Sequence, residues 1–74
     1  MDDRIKVYIK VNSLNEVIDI NSEIFISDLT GWILVDEGYG DKYAHAQGHY
    51  LSDPLMDENG QYNYVFEYNK ISRR

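Results

Sequence analysis

The segment Arg4-Ile5-Lys6-Val7-Tyr8-Ile9-Lys10-Val11 alternates polar and apolar residues without a break. A β-strand sends successive side chains to opposite faces, so Ile5, Val7, Ile9 and Val11 share one face and Arg4, Lys6, Tyr8 and Lys10 the other. A chain opening this way must build a sheet and cover one side of it. The turn-prone Asn12-Ser13-Leu14-Asn15 follows, and Glu16-Val17-Ile18-Asp19-Ile20 resumes in β-branched residues, which together predict a hairpin. A helix competes for the same stretch, because Ser13-Leu14-Asn15-Glu16 fits a capping box and Leu14, Val17, Ile18 and Asn21 have helical spacing. Valine and isoleucine lose χ1 freedom in a helix, which favours the strand.

Further along, Glu23-Ile24-Phe25-Ile26 continues apolar, and Ser27 or Asp28 can cap a single helical turn ending at Gly31. Trp32 to Val35 is the next predicted strand, closed by Asp36-Glu37-Gly38. Between Gly40 and Gly48 the pattern admits a short helix over residues 41–47, with Asp41 as cap and Gly48 as the residue after its end. A strand there would need Ala44 and Ala46 on one face, and alanine is depleted in strands. Pro54 excludes a central strand position. Asn59-Gly60 is the strongest short hairpin signal. Tyr62, Tyr64, Phe66 and Tyr68 then alternate as a strand, with a further turn at Asn69-Lys70.

These elements predict one domain over residues 1–74, mainly β with α+β as the alternative. The expected form is a small antiparallel sheet or a partly closed, barrel-like meander with one short helix near residues 41–47. The expected core is Ile5, Val7, Ile9, Val11, Ile18, Ile20, Ile33, Val35 and Val65 or its neighbours Tyr64 and Phe66.

Seventy-four residues make a small core, which usually needs a disulfide, a metal or a second subunit. There is no cysteine, so disulfides and thiolate zinc sites are excluded. The longest apolar run, Trp32-Ile33-Leu34-Val35, is far short of a membrane span, and the charged Met1-Asp2-Asp3-Arg4 precedes no apolar leader segment. The sequence therefore predicts synthesis in the cytoplasm without membrane association. Thirteen acidic against seven basic residues give a net charge of −6, which disfavours nucleic acid as a partner. Arg4, Lys6 and Lys10 around Tyr8 could track a nucleic-acid strand; overall charge favours the other account, lysines that discourage pairing along a sheet edge.

His45 and His49 lie four apart, with Asp41 four before the first, but Gly48 interrupts the helix that would align them and no third histidine completes a metal site. Aligning Gly60 with the glycine of an EF-hand loop puts the first and last ligands on Leu55 and Phe66, neither of which binds calcium. No nucleophile motif or phosphate-cradling loop is present. The expectation is a non-enzyme with no cofactor and no metal. Among seven tyrosines, those at 62, 64 and 68 read as strand residues with core-facing rings. Tyr39, Tyr43 and Tyr50 sit among glycines, histidines and polar residues. With His45 and Gln47 they are the candidate binding residues.

The segments Gly31-Trp32-Ile33-Leu34-Val35-Asp36-Glu37-Gly38 and Asp41-Lys42-Tyr43-Ala44-His45-Ala46-Gln47-Gly48, with Asp57-Glu58-Asn59-Gly60 and the tyrosine-rich strand after it, resemble a known group. They look like small proteins encoded among the tail genes of siphophages and prophages of Gram-positive bacteria, closest to one from a Bacillus-infecting siphophage. The resemblance covers roughly residues 17–70. It implies a distal-tail or tail-tip structural or host-adhesion accessory protein that forms a homo-oligomer and meets other tail proteins or a host cell-surface ligand. Such a protein is made in the host cytoplasm and destined for the virion tail tip. The alternative is a non-virion protein acting in the infected cytoplasm as an assembly factor or host-protein binder. The resemblance assigns no role to any single residue.

Overall fold

In a computed structural model describing residues 4–74, the alternating segment forms strand β1 (Ile5–Val11), and β2 (Val17–Ser22) returns antiparallel beside it. The charged Met1-Asp2-Asp3 of the sequence lies outside the described residues. Asn12 builds the turn. Its Oδ1 accepts from the backbone amides of Leu14 at 2.9 Å and Glu16 at 3.0 Å, while Asn15 takes the left-handed conformation at φ 62°. The helix rival loses because the β-branched residues find a strand to pair with.

A 3-10 turn (Glu23–Phe25) and a loop lead to β3 (Ile33–Gly38). Trp32 N–H closes that loop onto the Leu29 carbonyl at 3.0 Å, with Gly31 at φ 82°, a position where a turn needs positive φ. The strand runs three residues further than its apolar portion, through Asp36-Glu37-Gly38. Strand order is β2-β1-β3, all neighbours antiparallel. The lysine-bearing β1 is thus the central strand, and its cations do not guard an edge. Instead Lys6 lies opposite Glu37, Lys10 lies opposite Asp19, and the Lys10 ammonium sits 4.8 Å from the Trp32 ring centroid.

Two bulges set which side chains face the core. Pairing steps from Lys10↔Asp19 to Val11↔Val17, so Ile18 is an extra residue on β2. It was expected in the core, but is 37% exposed, and Val17 is fully buried in its place. Likewise pairing steps from Val7↔Asp36 to Tyr8↔Leu34, which leaves Val35 without a counterpart and brings Asp36 onto the face of the buried Val7.

The inner face, with Val7, Ile9, Val17 and Ile20 buried, is covered by two helical turns, α1 (Asp41–Ala44) and α2 (Ala46–His49). The sequence predicted a single helix ending before Gly48; the chain breaks at His45 (φ −129°, ψ 54°), and Gly48 lies within α2. Ser22 explains the break. Its buried hydroxyl donates to the Tyr43 carbonyl and accepts from the Ala46 amide at 2.9 Å, two groups that a continuous helix would use internally.

A second, two-stranded sheet closes the chain: β4 (Tyr64–Glu67) and β5 (Lys70–Arg73). Its turn residues Tyr68 and Asn69 have φ 53° and 61°, the two successive positive values of a type I′ hairpin. Tyr68 leaves the strand and is 90% exposed. Asn59-Gly60 makes a turn closed by a single Met56↔Tyr62 bridge rather than a strand pair, and Asp57 Oδ1 accepts from the Asn59 and Gln61 amides at 2.8 and 2.9 Å. Tyr64 packs on the core cluster at 7% exposure. Buried Asn63 donates to the Pro54 carbonyl at 2.8 Å, and Arg73 reaches both Asn63 O and Asp53 Oδ2. The described residues are therefore mainly β, in small antiparallel sheets that do not close into a barrel. None of their helices is long and apolar enough to cross a membrane.

Candidate functional site

Aspartate 36 is the carboxylate most engaged by tyrosine side chains. Because the bulge at Val35 turns it to the core side of β3, its Oδ2 accepts from the Tyr50 hydroxyl at 2.8 Å and from the Tyr43 hydroxyl at 3.3 Å. The two rings meet edge to face, 5.9 Å apart at 70°, and the Lys42 ammonium lies 4.8 Å from the Tyr50 ring centroid. Partial burial pushes the Asp36 carboxyl upward. The hydrogen bonds from Tyr50, the Glu37 amide and Tyr43, helped by the Lys42 charge, outweigh it and leave the carboxyl below its ordinary value. Tyr50 is pushed well above the ordinary phenol value, first by burial and then by its bond to Asp36; Tyr43 moves the same way for the same reasons. At neutral pH the cluster is thus one carboxylate held by two neutral phenols. Neither oxygen type is poised for proton transfer near neutrality.

Glycine 38 completes this arrangement. A Cβ there would lie 2.6 Å from Tyr43 Cζ, so the ring rests directly on the strand backbone.

The two histidines converge on Asp41. His49 Nδ1 bonds Asp41 Oδ2, and His45 Nε2 lies 3.8 Å from Asp41 Oδ1. All three side chains are exposed. No group of three or more histidine, aspartate or glutamate side chains among the described residues is arranged to hold a metal ion.

On the other side of His45 is an open depression of about 300 Å³, lined by Asn21, Phe25, His45, Gln47 and Gly48. The Phe25 ring is 57% exposed and lies 6.0 Å from the His45 ring at an interplanar angle of 32°. Asn21 Oδ1 is occupied by the Ser22 amide at 2.9 Å, which leaves the Asn21 NH2 group available to a ligand. No formal carboxylate or ammonium lines the depression.

Of the candidate binding residues, His45 and Gln47 come together at this depression. Tyr43 and Tyr50 are half-buried and committed to Asp36, while Tyr39 is exposed on the turn between β3 and α1. Asn21 and Phe25 are not among the candidate binding residues of the sequence: Phe25 stands in the continuous apolar stretch Ile24-Phe25-Ile26, and Asn21 meets His45 and Gln47 only through the fold. No protein-family model, curated protein or solved structure matches this chain.

Proposed function

We propose that this chain is a non-catalytic recognition protein of a siphophage distal tail, a structural or host-adhesion accessory. One observation carries the binding half of that statement. The open depression presents the Phe25 ring, the Asn21 and Gln47 carboxamides and the His45 imidazole, with no serine, threonine, lysine or carboxylate in its lining. An aromatic face beside paired carboxamides is a surface suited to recognition, which supports the binding reading. The tail assignment is supported by the resemblance through Gly31-Trp32-Ile33, Asp36-Glu37-Gly38 and His45-Ala46-Gln47-Gly48.

Self-association belongs to this reading. The fully buried apolar set is small, β3 is an edge strand, and Leu34 beside Trp32 on its outer face is 48% exposed. Apolar edges of this kind favour pairing with a second copy. A symmetric oligomer then turns weak single contacts into useful avidity.

Probing purified phage particles for this polypeptide by mass spectrometry tests the assignment. Its presence in particles supports a tail component, and its confinement to the infected-cell lysate transfers the chain to the cytoplasmic assembly-factor or host-binder alternative.

A further inference from the structure

We propose that the depression between β2 and α2 is a binding site for a neutral pyranose sugar, the ligand class for which its lining is chemically suited. This rests on the adhesion half of the function proposed above and gives it a ligand.

A pyranose presents an apolar C–H face and an equatorial rim of hydroxyls, each both donor and acceptor. The depression offers the matching pair of surfaces. Phe25 supplies a ring that is more than half exposed and braced by His45, which suits stacking on the C–H face. The carboxamides of Asn21 and Gln47 supply donors and acceptors on short stems, suited to neighbouring hydroxyls. At about 300 Å³ the space is at the lower end of small-molecule pockets, the size of one ring rather than an extended chain. Charge narrows the choice further. With no lysine or arginine in the lining and a net charge of −6, an anionic ligand is disfavoured relative to a neutral one.

Gly48 is the glycine of the lining. Glycine inside a helical turn is locally unfavourable by about 1 kcal/mol relative to alanine. Its φ is not in the left-handed region, and a Cβ built there meets no atom within 4 Å. Neither backbone conformation nor packing therefore requires glycine. Gly48 contributes backbone alone to the lining of the depression.

A single shallow site of this kind binds with roughly millimolar affinity, because little ligand surface is buried against the entropy of association. The test is an amide-shift titration of the isotope-labelled chain with the methyl glycosides of glucose, galactose and N-acetylglucosamine. Saturable shifts confined to Asn21, Phe25, His45, Gln47 and Gly48 are expected with at least one of them. Phe25→Ala, which removes the stacking face, should weaken binding by at least about tenfold while keeping dispersed, native-like spectra. Absence of saturable shifts with all three glycosides, or binding undiminished in Phe25→Ala, overturns the site. Either failure leaves the tail assignment standing or falling on the particle measurement, which does not depend on sugar binding.

Discussion

The Tyr50 hydroxyl donates to Asp36 Oδ2 at 2.8 Å, tying the end of α2 to an edge strand fourteen residues earlier in the chain. This bond exists because the extra residue at Val35 puts Asp36 on the core side of β3. A phenol–carboxylate bond thus holds the helical cover over Val7 and, through α2, fixes the rim of the depression.

The bond has a pH signature with two limbs. The phenol of Tyr50 is raised in the folded chain, so its contribution to stability is complete below the ordinary tyrosine value of about 10 and is lost as pH rises above it. The carboxyl of Asp36 is lowered, so its contribution is complete above about 3.9 and is lost as pH falls through the folded value. Thermal melts of Tyr50→Phe should show a shallower alkaline decline than the parent. At pH 7 the loss of one half-exposed hydrogen bond should cost about 1 kcal/mol, or about 4–8 °C of melting temperature. An alkaline limb unchanged in Tyr50→Phe would mean that Tyr50 does not hold Asp36.

Val7 sits at the centre of the buried set, with 0% exposure. Val7→Asp places an unpaired carboxylate there, a cost of several kcal/mol against the roughly 3–5 kcal/mol that so small a core supplies. The variant should be unfolded by circular dichroism and by amide dispersion. A native-like spectrum would remove Val7 from the core. Ile18→Asp is the paired control: the bulge leaves Ile18 at the surface, so that substitution should be tolerated to within about 1 kcal/mol.

These two residues also show how far the sequence could be read. Strict alternation over Arg4–Val11 identified β1 and its inner face, because a period of two leaves one choice of parity. The same rule applied to Val17-Ile18 selected the wrong side chain. A bulge is decided by the register between two strands, and no pattern within one strand records it. The depression was half legible. His45 and Gln47 lie close together in a polar stretch, whereas Asn21 and Phe25 reach it only through the fold, from twenty or more residues away.

Edge strand β3 should mediate self-association. Sedimentation velocity at micromolar concentration is expected to show a species larger than the 8.7 kDa chain, with Leu34→Lys shifting it toward monomer. A strict monomer across that range would contradict the oligomer, and an oligomer indifferent to Leu34→Lys would place its interface elsewhere.

The proposed role, recognition at the distal end of a phage tail, is open to direct measurement. Gold-labelled antibody against the chain, applied to purified particles and viewed by electron microscopy, tests it most directly. The account predicts label clustered at the tail tip, in more than one copy per particle. Particles without label, with the polypeptide recovered only from the infected cytoplasm, would contradict it.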